Sequence, residues 1–305
     1  MSTYPKSNLT AALPFVVLLG FLFGSGIVVS RFSIGQFNPF AFAAIRLLLA
    51  ALIHAVSYVV IKSRPFPRDP YLWLHGSIAG IIGTGWPTIA LLAALRFNSS
   101  GLTSLLITLN LATTVVLAHF FLEHEHFSLN KIIGILIAFG GAALLLLRGE
   151  TGLAEIIQAD WRGYAWTGSI VLGLSGGAVY TRRFLRFADS YDASSVRMFA
   201  SVIFFFPAIW LLVGMDFSEV RLSGLGALFY TTIFTTFLAF MLHFYITKRF
   251  GATSVSQFSY ITPVAATVLG AILLDEIITP AMLVGMVMIF SGLALLGWRA
   301  KKPSA

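Results

Sequence analysis

Arg46 and Arg197 are the cations that fall inside the long apolar runs of this 305-residue chain. A guanidinium stays charged even in a low-dielectric setting and needs acceptors there. For Arg46 the acceptor is a substrate carboxylate or a carboxylate at a helix corner, unless the side chain snorkels to the interface. Snorkelling accounts for Arg197, which lies nearer the end of its run. Asn110 and Gln257 place amides in mid-run. Thr103, Asn110 and Thr114 share one helical face by i, i+7, i+11 spacing, and Thr253, Gln257 and Tyr260 share another by i, i+4, i+7. Such faces either bond helix to helix or line an aqueous cavity. Trp86, Tyr230 and Tyr260 each carry a polar atom that lipid cannot satisfy, so they face protein or a wet pocket able to stack on flat or apolar solutes. His243 and His119 also fall within runs. Histidine titrates near neutral pH, which makes them candidates for a proton relay against the plainer reading of hydrogen-bonded core residues.

The same inventory removes most catalysis. The chain has no cysteine, which excludes disulfides, thiol nucleophiles and thiolate-held metals. Glu123-His124-Glu125-His126 looks like a metal site, but its residues are consecutive and lack the i, i+4 histidine pair of zinc helices. It reads as a polar corner, and no metal is expected. Asp189 and Asp192 lie beside Arg182, Arg183 and Arg186 and read as a loop. No GxxxxGK[ST] run is present, so the chain does not drive work with ATP itself. No cofactor and no catalytic residue is expected. An intramembrane enzyme, which needs an acid, base, metal or nucleophile at membrane depth, remains the rival class. A channel would need rings of charge or carbonyls, and none stands out.

These residues must be held by something that is mostly apolar. Hydrophobic residues make up 58% of the chain and charged residues 10%, against the ~25% charged of soluble domains. Apolar runs of about 20 residues recur, the length of a bilayer-spanning helix. The reading is an all-α polytopic membrane protein of ten transmembrane helices, at roughly 13–35, 38–62, 71–95, 99–122, 129–147, 161–185, 193–214, 222–247, 252–274 and 279–298. All twelve carboxylates lie outside the middles of these spans. The net charge of +8 is spread singly or in short groups between spans, as cationic flanks rather than a nucleic-acid patch. The partners expected are a small-molecule substrate and the lipid bilayer, with no nucleic acid; a monomer or homodimer fits equally.

Lysine and arginine set the orientation. Lys6, Lys62, Arg64, Arg68, Lys131, Arg182, Arg183, Arg186, Lys248, Arg249, Arg299, Lys301 and Lys302 fall on one side; Arg31, Arg96, Arg148, Arg162 and Arg221 fall on the other. The fuller side is cytoplasmic, and both termini lie there. The first ten residues carry one lysine and no cleavage-like site, so span one is expected to be retained. With no organelle signal, the expected location is a cell inner (plasma) membrane.

The chain also repeats itself. A shift of 151 residues lays Gly134, Phe139, Gly141, Ala143, Leu144 and Leu145 on Gly285, Phe290, Gly292, Ala294, Leu295 and Leu296, and also Leu122 on Leu273, Glu125 on Glu276 and Arg46 on Arg197. Near span one the best shift is 153, which lays Gly20 and Gly24 on Gly173 and Gly177. A steady register over about 120 positions marks a duplication. The organisation is a first five-helix repeat at 1–147, a link at 148–160 and a second repeat with a cytoplasmic tail at 161–305. Five spans is an odd number, so the second repeat enters the membrane upside down, the plan of many secondary transporters with a midplane site between halves. Arg46 lies about 12 Å along span two from its outer end, while Arg197 lies one turn from the inner end of span seven.

Small residues mark where the repeats touch. Gly20/Gly24, Gly76/Gly80 and Gly173/Gly177 are GxxxG pairs that let backbones approach closely, either as static packing or as a sliding contact. Gly80, Gly83 and Gly85 lead into Trp86-Pro87 and should weaken span three at its middle; Pro207 and Pro263 should do the same in spans seven and nine.

The run GFLFGSGIVVSRFSIGQFNPFAFAAIRLLLAAL in spans one and two carries a resemblance. So do the Glu125 and Glu276 corners, each followed nine residues on by Gly134 or Gly285. The chain resembles the drug/metabolite transporter superfamily, in its EamA-type members, over about residues 13–298. Where the second half has Pro263, the first has Ala112, so the resemblance does not supply a hinge at that place in span four. The resemblance implies a cavity enclosed by spans one to four and six to nine, with spans five and ten outside. It also implies export of small metabolites, with the aromatic amino acid exporter branch as one precedent. The expectation is a secondary transporter for small metabolites, aromatic or other apolar amino acids among them, working by alternating access. A multidrug or cation exporter of the same fold is the alternative. Proton-coupled carriers usually keep a midplane carboxylate; its absence leaves facilitated export, exchange or a histidine-based coupling.

Overall fold

Helix starts are written into this sequence as capping residues. In the computed structural model, which describes residues 9–60, 65–122, 127–154 and 160–297, Asp69, Ser99, Ser128, Asp160 and Asp189 each accept a backbone N–H two or three residues on and open a helix. Asp160 also takes a bidentate contact from Arg162, and these side-chain and backbone hydrogen bonds hold its carboxyl below the usual range.

The described residues form helical rods joined by short turns, with no strand among them. They are α1 (Leu9–Ser33), α2 (Pro39–Val60), α3 (Pro70–Ala94), α4 (Ser100–Phe121), α5 (Leu129–Leu147), α6 (Trp161–Phe184), α7 (Ser190–Val213), α8 (Leu222–Phe250), α9 (Ala252–Val255 and Phe258–Leu274) and α10 (Pro280–Gly297). Eight helices are long and apolar enough to cross a membrane. The other two rods fall short for different reasons. Phe258–Leu274 is apolar but has 17 residues, and α6 is long but carries Arg162, Arg182, Arg183 and a Gly/Ser-rich middle. Large apolar side chains face outward along the rods, Leu147, Leu211 and Leu212 among them, as expected of a surface that meets lipid.

Packing pairs the halves. α1 lies along α9 and α6 along α4; α3 lies along α7 and α2 along α8; α5 and α10 form their own pair. Glycine makes the last contact reciprocal: a Cβ on Gly134 would stand 2.5 Å from the Gly292 carbonyl oxygen, and one on Gly292 2.5 Å from that of Gly134. Segment 148–154 is pinned at both ends of the first half's exit. Ser99 donates its backbone N–H to Thr151 at 2.8 Å, Ile277 donates to Gly152 at 2.9 Å, and Thr279 Oγ1 donates to Glu150 Oε2 at 2.8 Å.

Glu125 and its neighbours 123, 124 and 126 lie outside the described residues, as do Lys6, Lys62, Arg64, Arg299, Lys301 and Lys302 of the charge count.

Candidate functional site

The glycine-rich stretch before Pro87 does what its composition predicts: residues Ile81–Gly85 of α3 open into a π-helix. Proline has no N–H to give the carbonyl four residues back. That carbonyl belongs to Gly83, and Arg197 Nη2 of α7 donates to it at 3.3 Å and to Thr84 Oγ1 at 3.0 Å. Arg197 is thus the external partner for a backbone group that proline leaves short. Gly80 permits the approach, since a Cβ there would lie 2.3 Å from the Arg197 carbonyl oxygen.

The second half repeats the device without proline. Residues Thr231–Leu238 of α8 are also a π-helix. Here threonines bond back to the helix: Thr231 Oγ1 donates to Ala227, Thr232 Oγ1 to Leu228, and Thr235 and Thr236 Oγ1 to Thr231. Back-bonding hydroxyls perturb the i to i−4 ladder, and π-segments concentrate at functional places. Arg46 of α2 reaches this segment, with Nε donating to Thr236 Oγ1 at 3.1 Å, Nη2 to Thr235 Oγ1 at 3.2 Å and Nη1 to Ser30 Oγ at 3.2 Å. Under the 151-residue shift Arg46 falls on Arg197 and Thr84 on Thr235. Each half therefore reaches across with an arginine to the widened turn of the other.

Between the two π-segments lies a cavity of about 320 Å³. Its described walls come from α1 to α4 and α6 to α9, with nothing from α5 or α10. The polar groups are Arg46, Thr84, Thr88, Asn110, Thr235, Thr236, Thr262 and His243; the remainder is mostly aliphatic and phenylalanine, and no carboxylate is among the described lining residues. The size sits at the small end for ligand pockets. A larger apolar groove, about 580 Å³, runs between α2, α7 and α8 and is lined by residues such as Leu48, Phe206 and Trp210. Apart from the Trp210 indole N–H its described lining side chains are apolar, as expected of a surface covered by lipid tails.

Close backbone approaches flank the cavity. A Cβ on Gly20 would meet Ile261 at 2.6 Å and one on Gly24 would meet Ala265 and the Thr262 carbonyl at 2.8 Å, so this pair seats α1 on α9. Gly173 and Gly177 seat α6 on the π-segment of α3, at 2.8 Å from the Ile82 carbonyl and 2.5 Å from the Gly83 Cα. The contact equivalent to that of Gly177 is made by Gly26, which faces Thr235 at 2.7 Å. Gly26 and Gly177 are 151 apart, so the contacts keep the main register through α1, where sequence matching alone favours 153. Gly85 faces Phe205 at 2.5 Å, and Pro87 lines the cavity.

The structure brings Arg46, Asn110, Pro87 and His243 to one cavity wall and places the other expected residues elsewhere. Trp86 is partly exposed and packs on Trp166 with ring centroids 5.8 Å apart. Tyr230 shares a hydrogen bond with Ser25 at 2.8 Å. Tyr260 packs edge-on against Phe290 of α10, at 5.4 Å. Gln257 sits half-buried at the interruption of α9, and His119 stacks near Phe127 at the end of α4. Helix α7 runs on through Pro207, and Phe258–Leu274 runs on through a buried Pro263. The break in α9 comes earlier, at 256–257, and α4 breaks at 108–109 with no proline, through tight turns such as Leu111 N–H to the Thr108 carbonyl at 3.1 Å.

One feature went unread as a site residue: Glu276, only 7% exposed. Asp275 ends α9 in the left-handed conformation, with φ 54°, and turns Glu276 back towards Gly270. Its carboxylate accepts Ser100 N–H at 2.8 Å, Ser100 Oγ–H at 2.6 Å and Gly101 N–H at 3.3 Å. Arg31 Nε lies 3.9 Å away, and Arg31 also donates to the Leu95 carbonyl. A carboxylate of the second half thus caps the first turn of α4 in the first. The Glu125–Glu276 match under the repeat was the available signal. Among the described residues, no group of three or more metal-ligating side chains occurs.

The EamA-like transporter family model matches residues 10–147 and 161–298. A WAT1-related chloroplastic protein of Arabidopsis thaliana is 25% identical over 272 residues, which is 87% of this chain and 64% of that protein's length. An uncharacterized transporter of Archaeoglobus fulgidus is 25% identical, covering 90% of this chain and 92% of its own. The uncharacterized transporter YvbV of Bacillus subtilis is 21% identical over 100% of this chain and 96% of its own. A solved crystal structure shares the fold, with TM-score 0.65 at 18% identity over 94% of this chain and 97% of that one.

Proposed function

The chain belongs to the EamA-like transporter family and is a multi-pass membrane transporter, and we propose that it exports small apolar metabolites, aromatic or other apolar amino acids among them, by alternating access. In this reading ten helices cross a cell inner membrane with both termini in the cytoplasm. The repeats at 1–147 and 161–305, joined by 148–160, enter the membrane in opposite senses. The protein works as a monomer or homodimer, without a cofactor.

The observation that carries the reading is the cavity walled by both halves, with Arg46 and Arg197 each crossing to the π-turn of the other. A site shared by inverted repeats opens to one face when they rock one way and to the other when they rock back. The helices that must slide are separated by glycines rather than by interlocked side chains. Export of cations is the weaker reading, since the described cavity wall holds a guanidinium and no carboxylate.

The test is uptake of radiolabelled phenylalanine into proteoliposomes by wild type and by Leu174→Trp, which fills the cavity from α6, with and without a pH gradient. Saturable uptake that Leu174→Trp abolishes, and that needs neither ATP nor a gradient, is the expected result. Uptake untouched by Leu174→Trp would remove the cavity from the path; no uptake by folded protein would remove phenylalanine from the substrates.

A further inference from the structure

Arg46 is a cation in a cavity wall whose charge is balanced by no described neighbour. Its three hydrogen bonds all go to hydroxyls, at 3.1–3.2 Å. Those distances are long beside the ~2.7–2.9 Å of an arginine–carboxylate pair. The accepting hydroxyls spend their own protons on backbone carbonyls: Ser30 on Gly26, and Thr235 and Thr236 on Thr231. They carry no negative charge to the guanidinium. A guanidinium has five N–H donors. The three bonds use one on each nitrogen, leaving one donor on each terminal nitrogen, the pair that binds a carboxylate in a fork.

Two comparisons within the molecule sharpen this. Arg31 also lies between the halves, but Glu276 is beside it. Arg197, the repeat-equivalent of Arg46, donates through Nη2 to the Gly83 carbonyl and Thr84, has a buried Nε without a hydrogen-bond partner, and is not among the residues that line the cavity. Of the two equivalent arginines, Arg46 is the one among the residues that line the cavity, where a solute can reach it.

We propose that the cavity recognises the carboxylate of an apolar organic acid through Arg46, and that it has no counterpart for an ammonium group. The second half follows from the wall: none of its described lining residues is acidic, so an α-amino group adds desolvation without a charge partner. An apolar monocarboxylate should then bind at least as tightly as the amino acid with the same side chain. The inference rests on the cavity being the transporter's substrate site, and deepens that reading by naming the group recognised.

The experiment is a ligand titration, read as thermal stabilisation of purified wild-type protein. The probes share one ring: 3-phenylpropanoate, its neutral amide, 2-phenylethylamine and phenylalanine. The expected result is binding of 3-phenylpropanoate about tenfold or more tighter than the amide or the amine, the worth of one hydrogen-bonded charge, and no weaker than phenylalanine. Arg46→Gln should remove the preference of acid over amide, and Arg46→Lys should keep part of it. The wild-type series stands alone if a variant fails to fold. Equal binding of acid and amide, an undiminished preference in Arg46→Gln, or much tighter binding of phenylalanine would overturn the inference while leaving a ligand-binding transporter cavity in place. No binding of 3-phenylpropanoate to folded wild type would overturn it too, and the phenylalanine flux measurement would then decide the transporter reading separately.

Discussion

Arg46 of α2 donates to the hydroxyl of Thr235 in α8 at 3.2 Å, and 151 residues later Arg197 of α7 donates to the hydroxyl of Thr84 in α3 at 3.0 Å. The two contacts exchange halves, so the repeats hold each other at the two places where their helices are widest and weakest. Because Pro87 leaves the Gly83 carbonyl short of a donor, the Arg197 contact has the larger structural load. Arg197→Gln should cost about 1–3 kcal/mol, the range for leaving a buried polar group unpaired. Thr84→Val should cost less, and the double variant less than the sum. Thermal unfolding of the four proteins in one detergent checks this; strict additivity would show that the two groups do not act together.

Glu276 should behave as a clasp between halves. Glu276→Gln keeps the shape but loses the charge that faces Arg31 and the Ser100 and Gly101 N–H groups. The expected outcome is a loss of about 1–3 kcal/mol of stability and faster labelling of Ser99→Cys, beside the clasp, by a water-soluble thiol reagent. The absence of native cysteine makes that labelling unambiguous. Labelling unchanged by Glu276→Gln would show that the clasp does not gate this end.

Glycines should sort by what their missing side chain would meet. Gly177→Ala would place a Cβ 2.5 Å from the Gly83 Cα, backbone against backbone, and should lower the yield of folded protein sharply or abolish flux. Gly168→Ala meets nothing within 4 Å in the same helix and should be neutral to slightly stabilising. Size-exclusion profiles of the two variants side by side test this; equal behaviour would contradict the close seating of α6 on α3.

The contrast between those glycines shows what a sequence can and cannot reveal here. Apolar runs and the 151-residue register exposed the rods and their duplication, because each is a local or periodic signal. The π-segment of α3 was legible from Gly83, Gly85 and Pro87. That of α8 was not, since it arises from threonines bonding back to their own helix in a stretch with neither glycine nor proline. The cavity followed the same rule. Arg46 and Asn110 were polar enough to stand out, whereas Thr84, Thr88, Thr235 and Thr262 are ordinary residues in membrane helices until the fold gathers them. Tyr260 and Trp86 were drawn in by being aromatic at mid-span, yet their rings pack on other rings, Phe290 and Trp166, and neither is among the residues lining the cavity.

Energy coupling follows from the wall chemistry. His243 is the titratable lining residue besides Arg46 among those described. With no carboxylate among the described lining residues, facilitated flux is expected: a pH gradient imposed on proteoliposomes should not concentrate phenylalanine, and His243→Gln should keep exchange within a few-fold of wild type. Accumulation driven by the gradient and lost in His243→Gln would instead make that histidine a proton carrier.

Alternating access is the central claim, and cavity accessibility tests it most directly. Leu174→Cys places the chain's sole thiol in the cavity wall on α6. In sealed, uniformly oriented vesicles the account predicts that a membrane-impermeant thiol reagent labels it from one face at rest, and that saturating substrate shifts labelling towards the other. Equal, substrate-independent labelling from both faces at once would describe a continuous pore and contradict the account.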